Sequence, residues 1–297
     1  MQIILKTKQE SRLHIDWDIN YNCNYRCSYC KTYETGWSAT SFEKAIVAID
    51  NLYGSVLKKS SLPITIWFSG GEPSILPWFK DFCMYIKGLA PDIYLAMTSN
   101  GSQPVELYSE LLKDNWLDYI SFSLHFEFAK PSHFLNKIHY LVDRHGLERL
   151  SVIVMHEKQS SDQASDILLS LKSSDIKSST HLIRGDDYKN DSKSEEFVLS
   201  KYDSNIKDVD INGTHYNSGY ILDLMHFNKH SFKNWKCWAG VDHFYITKDF
   251  DLLAASCGIK CFGNLLEDIS YDSAPIICDG RSCICSANVK IKKEYTK

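Results

Sequence analysis

Between residues 13 and 183 six short apolar runs alternate with longer amphipathic stretches, with a period of about 30 residues. The short runs are residues 13–19, 64–68, 93–98, 119–124, 150–155 and 181–183, and each reads as a strand. The stretches between them carry apolar residues at helical spacing, as in Phe42, Ala45, Ile46, Ile49 and Tyr53, where Thr40 and Glu43 form a capping box. Pro77 opens a second helix with Phe79, Phe82, Cys83 and Ile86 inward, and a third carries Val105, Leu107, Leu111 and Leu112. Strands in strict alternation with helices pair in parallel, because a parallel pair needs a crossover. The expected fold class is α/β. A partial (β/α)6 TIM-like barrel fits this length better than a closed eight-fold one, which takes about 250 residues.

The rhythm stops at Arg184. Residues 185–208 are polar and charged and read as a long loop or lid, and Asn212-Gly213 marks a hairpin turn. From residue 216 the chain is rich in cysteine. The expected division is a barrel domain over 1–215, with its core at 13–183, and a small cysteine-rich α+β domain over 216–297. The apolar fraction of 44% and charged fraction of 24% belong to a globular chain. A net charge of -4 argues against a nucleic-acid partner, and the basic tail Lys290–Lys293 reads as a solvated helix end. No run approaches the roughly 18 apolar residues of a membrane span, and no signal peptide opens the chain, so the expected location is cytoplasmic.

Ten cysteines in a reducing compartment call for an explanation other than disulfides. Cys83 sits on an apolar helix face and reads as core. The rest form two groups at opposite ends of the chain, which suggests two metal sites. The first, Cys23-x3-Cys27-x2-Cys30, lies in the loop after the first strand. Structural zinc takes four ligands, whereas three on one loop leave a coordination position open, as in a 4Fe–4S cluster with one accessible iron. Ser69-Gly70-Gly71-Glu72-Pro73 follows the second strand, Thr98-Ser99-Asn100-Gly101 the third, and Ser123-Leu124-His125 ends the fourth. Ligand sites in α/β folds gather at these carboxyl ends.

This order of motifs resembles the radical S-adenosylmethionine (SAM) superfamily over residues 13–183. The resemblance implies that Cys23, Cys27 and Cys30 hold a 4Fe–4S cluster whose open iron chelates SAM. It implies further cofactor contacts from Tyr29, Gly70, Gly71, Glu72, Asn100 and Ser123. The glycine-rich motif that the family often carries near its fifth strand is absent after residues 152–155. The C-terminal series Cys237-x2-Gly240, Phe244-Tyr245-Ile246, Cys257 and Gly263-Asn264-Leu265 resembles the auxiliary-cluster domains called SPASM or twitch, in which a helix follows the Gly-Asn-Leu segment. Phe250 stands where those domains usually have the glycine of a hairpin turn. One auxiliary 4Fe–4S cluster is expected, with four ligands among Cys237, Cys257, Cys278, Cys283 and Cys285; a zinc knuckle is the alternative.

The resemblance implies reductive cleavage of SAM to methionine and a 5′-deoxyadenosyl radical, which removes a hydrogen atom from a substrate carbon, with electrons from a flavodoxin- or ferredoxin-type donor. Oxidation or epimerisation would follow. His125 and Glu127 are the candidate substrate-facing groups, with Arg184, Asp186 and Asp187 after the last strand, and Cys261 is a candidate hydrogen donor. A small polar or carbohydrate-like substrate is expected. A ribosomally made peptide is the alternative, and a zinc-stabilised, non-catalytic binding protein is the alternative of another class.

Overall fold

A computed structural model describes residues 2–5, 12–30, 40–183, 208–211, 214–217, 231–280, 283, 288 and 291–296. The chain forms two compact units, one of Met1–Ile15, Asn51–Pro63 and Asp187–Lys297, the other of Asp16–Asp50 and Ile64–Asp186. After a first strand β1 (Gln2–Leu5) come β2 (Leu13–Asn20), α1 (Phe42–Ser55), β3 (Ile64–Gly70), α2 (Phe79–Leu89), β4 (Tyr94–Ser99), α3 (Val105–Lys113), β5 (Tyr119–His125), α4 (Pro131–His145), β6 (Leu150–His156), α5 (Ser161–Ser173) and β7 (Ser178–Leu182).

Strands β2 to β7 lie side by side in chain order, and β3 through β7 pair in parallel. This is the layout of a partial TIM-like barrel, each helix carrying the chain to the next strand along. Side chains alternate across such a sheet. One face buries Ile66, Phe68, Leu95, Met97, Ile120, Phe122, Leu124, Val152 and Val154. Phe68 meets Phe79 of α2 edge-on at 5.3 Å, and Phe122 meets Tyr108 of α3 at 5.1 Å, so this is the helix-covered face. The other face is polar: Trp67 Nε1 donates to Thr98 Oγ1 at 2.9 Å, and Ser151 donates to Ser121 at 3.3 Å.

Most strand ends shift by one or two residues from expectation, and three starts differ for a reason that can be read locally. The hydroxyl that caps α1 belongs to Ser41, which accepts the Lys44 N–H at 3.3 Å, so the helix starts one residue later than a Thr40 cap would set it. Helix α2 starts at Phe79, two residues beyond Pro77, after a 3-10 turn at Pro73–Ile75. Strand β7 starts at Ser178 rather than His181, because its pairing with β6, from Val152↔Ser178 to His156↔Leu182, does not depend on apolar side chains.

The remaining strands belong to the other unit: β8 (Asp208–Ile211), β9 (Thr214–Asn217), β10 (Lys236–Cys237), β11 (His243–Ile246), β12 (Asp251–Leu253), β13 (Cys261–Asn264), β14 (Ile276–Ile277) and β15 (Lys293–Thr296). β8 and β9 pair antiparallel with Ile211 opposite Thr214, as a two-residue turn requires; Asn212 and Gly213 lie outside the described residues. A small antiparallel sheet has the order β1-β15-β10-β14, and β11-β12-β13 form an antiparallel meander. Two expectations are corrected here. Leu265 and Leu266 enter a turn rather than a helix, the Leu266 N–H bonding to Asn264 Oδ1 at 3.0 Å. Lys293 is no solvated helix end: it opens strand β15 and is 1% exposed, since its pairing with β10 turns it inward. The expected lid up to residue 207, with Arg184, Asp186 and Asp187, lies outside the described residues, and Asp208 opens β8 rather than ending a loop.

Candidate active site at the carboxyl ends of the strands

The cysteine loop leaves the end of β2 and is held against the turn after β3 by backbone hydrogen bonds. Gly71 N–H donates to Asn20 O at 2.7 Å, and Glu72 N–H to Asn22 O at 2.8 Å. A Cβ on Gly70 would stand 2.1 Å from Asn20 O, and one on Gly71 2.1 Å from Asn22 O; Gly70 also has φ +104°. Only glycine permits so close an approach. The pair therefore seats the loop that carries Cys23.

Glu72 is fully buried and ties the turn after β3 to the end of β4. Its carboxylate accepts Ser74 N–H at 3.1 Å, Ser74 Oγ at 2.6 Å, Ser99 Oγ at 2.9 Å and Asn100 N–H at 2.5 Å. The Tyr108 hydroxyl from α3 bridges Ser74 and Ser99 at 3.3 and 3.0 Å. Burial pushes the carboxyl above its ordinary range, and these donors pull the other way. Asn100 in turn donates Nδ2 to Asn24 Oδ1 at 3.0 Å and to Cys23 Sγ at 3.7 Å, while Tyr25 N–H points at the same sulfur at 3.4 Å.

From the other side comes β5. Its last residue, His125, stacks on Tyr29 with ring centroids 6.0 Å apart, and its Nδ1 lies 2.6 Å from the Tyr29 hydroxyl and 3.7 Å from Cys27 Sγ. Burial lowers His125 to about 4, against the pull of Glu127, and burial raises Tyr29. Both are neutral at pH 7, so Tyr29 donates and Nδ1 accepts. Glu127 accepts Ser28 N–H at 2.8 Å and Ser28 Oγ at 2.5 Å, fixing the segment between Cys27 and Cys30. Ser123 is buried on the same strand face as His125.

Burial raises the Cys23 thiol, with the fields of Glu72 and Cys30 adding, and lifts Cys27 to about 11, with those of Glu127, Cys23 and Cys30 adding. Three neighbouring thiols with N–H donors aimed at sulfur are a suitable donor set for an iron–sulfur cluster once deprotonated. Beside them, Asn20 Oδ1, Asn22 Oδ1 and Ser102 Oγ are buried without a hydrogen-bond partner. Buried acceptors in that state fit a ligand that brings N–H or O–H donors.

The structure thus gathers Cys23, Cys27, Cys30, Tyr29, Gly70, Gly71, Glu72, Asn100, His125 and Glu127 about one loop. Asn24, Tyr25, Ser28, Ser74 and Tyr108 join them without a sequence signal; Tyr108 reads as an ordinary core residue of α3. In the other unit, Cys237, Cys257, Cys278 and Cys283 lie in one another's field. Cys283 is pushed up to about 12 by burial, with the other three adding and Lys293 opposing. Cys261 is exposed at the start of β13, its Sγ 3.9 Å from Gly263 O. Cys285 lies outside the described residues.

A parallel α/β half-barrel with three cysteines on its first loop defines a class of cluster-dependent enzymes. The sequence profile of the Radical SAM superfamily matches residues 17–198, more than half of the chain, and the protein belongs to that superfamily. Membership implies an enzyme with a 4Fe–4S cluster and SAM. No curated protein matches the chain. Among solved structures, anSMEcpe with bound AdoMet and the Cp18Cys peptide superposes with a TM-score of 0.57 at 14% identity, over 86% of this chain and 78% of that one. SuiB of Streptococcus suis bound to its precursor peptide SuiA gives 0.58 at 14%, over 86% of this chain and 63% of SuiB. At such identities the likeness is one of fold. Among the described residues, no helix is long and apolar enough to cross a membrane.

Proposed function

We propose that the protein cleaves SAM reductively at a cluster held by Cys23, Cys27 and Cys30, and abstracts a hydrogen atom from a small polar substrate bound against the sheet. The observation that carries this reading is the convergence of the ends of β2, β3, β4 and β5 on the cysteine loop. When bound, the cluster supplies the electron that breaks the S–C5′ bond and yields the 5′-deoxyadenosyl radical.

The chain's own residues position and exclude. Asn100 and the Tyr25 N–H donate toward Cys23 Sγ, which favours the thiolate. Asn20, Asn22 and Ser102 offer buried acceptors to the ammonium and hydroxyls of SAM. Tyr29 and His125 shield Cys27, whose sulfur lies 3.7 Å from the imidazole. Glu72, with both oxygens engaged inside the protein, acts as a brace. The substrate preference rests on the polar sheet face of Thr98, Ser121, Ser123 and Ser151. A cavity of 380 Å³ on that face, with Trp67, Tyr119 and Lys177 in its wall, lies at the amino ends of the strands, away from the cysteine loop.

A peptide substrate is the second reading, carried by the peptides bound in anSMEcpe and SuiB. An auxiliary 4Fe–4S cluster on Cys237, Cys257, Cys278 and Cys283, in a SPASM- or twitch-like unit, completes the proposal.

The test is anaerobic incubation with dithionite and SAM, quantifying 5′-deoxyadenosine for the parent and Cys27→Ala. Production by the parent and none by the variant is expected. Colourless protein with bound zinc and no product from either would favour the non-catalytic binding protein instead.

A further inference from the structure

The proposed cluster explains four C-terminal cysteines and leaves one unusual neighbour unexplained. A lysine is seldom buried, because its ammonium loses hydration, so an inward-turned lysine calls for a local reason. Lys293 is 1% exposed. Its Nζ donates to Asn288 O at 2.6 Å and to Ile291 O at 3.0 Å, and lies 4.8 Å from the centroid of the Phe232 ring.

The sheet register places this charge among the cysteines. Cys237 of β10 pairs with Lys293 of β15 on one side and with Ile276 of β14 on the other. Side chains of directly opposed residues share a face, with Cβ atoms about 5 Å apart. Cys278 follows β14 directly and is held by its N–H to Trp235 O at 2.8 Å and by Asn234 N–H to its own carbonyl at 2.7 Å. The Cys257 loop is tied in through Ser256, whose hydroxyl donates to Asn288 Oδ1 at 3.3 Å; Asn288 is the residue whose carbonyl receives the ammonium.

We infer that Lys293 is the counter-charge of this second cysteine set: its ammonium offsets the thiolates of Cys237, Cys257, Cys278 and Cys283 and makes a cluster bound there easier to reduce. The inference rests on the proposed auxiliary cluster. Four thiolates around a buried cluster carry a net negative charge that grows by one on one-electron reduction. A fixed positive charge in low dielectric stabilises the reduced form more than the oxidised one. The same ammonium draws the Cys237 and Cys283 thiols down against the upward push of burial. Lys293 is in this sense a positioning residue, acting through the cluster.

The experiment uses the full chain with Cys23, Cys27 and Cys30 all changed to Ala, so that only the second set can bind iron. It is reconstituted anaerobically, and its midpoint potential is read by dithionite titration with electron paramagnetic resonance. About four irons per chain are expected with Lys293 in place. K293M should hold the same iron, while its ratio of reduced to oxidised cluster at a fixed potential falls about tenfold, a midpoint lowered by about 59 mV for one electron. K293R, which keeps the charge, should titrate close to the parent. Iron lost from K293M but retained by K293R would equally support the counter-charge. Unchanged potential in an iron-loaded K293M, or equal loss of iron from both variants, overturns the inference and leaves the cluster standing. Absence of iron with Lys293 in place overturns the auxiliary cluster and the inference together.

Discussion

A methyl group on Gly71 would stand 2.1 Å from the Asn22 carbonyl oxygen, backbone against backbone, where no rotamer change can relieve it. Gly71→Ala must push the chain before Cys23 away from β3, at an overpacking cost of about 1–3 kcal/mol. The expected result is a protein that still unfolds cooperatively but loads little iron on the first cysteine set. Gly88→Ala is the control, since a Cβ there meets nothing within 4 Å, and inside α2 it should stabilise by about 0.5–1 kcal/mol. Iron analysis beside thermal melts separates the two; a Gly71→Ala protein with full iron would show that the close approach does not position the loop. Glu72 makes a prediction in pH. Burial raises its folded-state pKa above the ordinary 4.5, so folding favours the neutral carboxyl. That contribution is complete below pH 4.5 and is lost as pH rises through the folded value. Glu72→Gln stays neutral, so the Tm of the apo variant should gain on the parent between pH 4.5 and pH 8. A constant difference across that range would contradict the assignment.

At the scale of elements, the turn from β11 to β12 places Phe250 at φ +69°, a conformation that costs a side-chain-bearing residue roughly 1–2 kcal/mol. The ring is kept there by burial, at 4% exposure. Phe250→Ala loses the packing and keeps the strain; Phe250→Gly loses the same packing and relieves it. Both should destabilise, and the glycine variant should be the more stable of the two by about 1 kcal/mol in urea unfolding. The reverse order would mean that the turn relaxes once the ring is gone. This position was legible in the sequence as a missing glycine. So were strands β2 to β6, because their apolar residues repeat with the period of the sheet. Ser178-Ser179-Thr180 was not legible as strand, since pairing at that position is a matter of backbone and register. The cysteine loop could be read from its spacing together with the motifs at the ends of the next strands. Its brace could not: Ser74 and Ser99 reach Glu72 from two elements, Tyr108 bridges their hydroxyls from a third, and no local pattern encodes that meeting. Lys293 shows the same limit, because a charged residue near a chain end reads as solvated until a cross-strand register turns it inward.

At the scale of the molecule, the two cysteine sets lie in different units, and those units are interleaved along the chain. The unit that holds Cys237, Cys257, Cys278 and Cys283 also takes in Met1–Ile15 and Asn51–Pro63. These early segments contribute Leu13, Ile15, Leu52, Val56 and Leu57, all at most 2% exposed. Asn51 Nδ2 donates to Leu265 O at 2.8 Å, a bond across 214 positions of sequence. A chain cut after residue 215 would keep these side chains and lose most of the unit to which they belong. Uncovering several core side chains costs about 1.5–3 kcal/mol each, more than the margin of a typical domain when summed. The expected product is an aggregating chain without a cooperative melt. A full-length chain carrying Cys237→Ser and Cys257→Ser loses only ligands. It should melt cooperatively, bind about half the iron of the parent, and keep the dithionite-dependent signal of the first cluster. Iron counts and circular dichroism on the two proteins, prepared side by side without oxygen, provide the check. A truncated chain that folds and loads the first set would show that the early segments need no partner from the C-terminal part. Loss of all iron from the double variant would show instead that the two sites depend on each other.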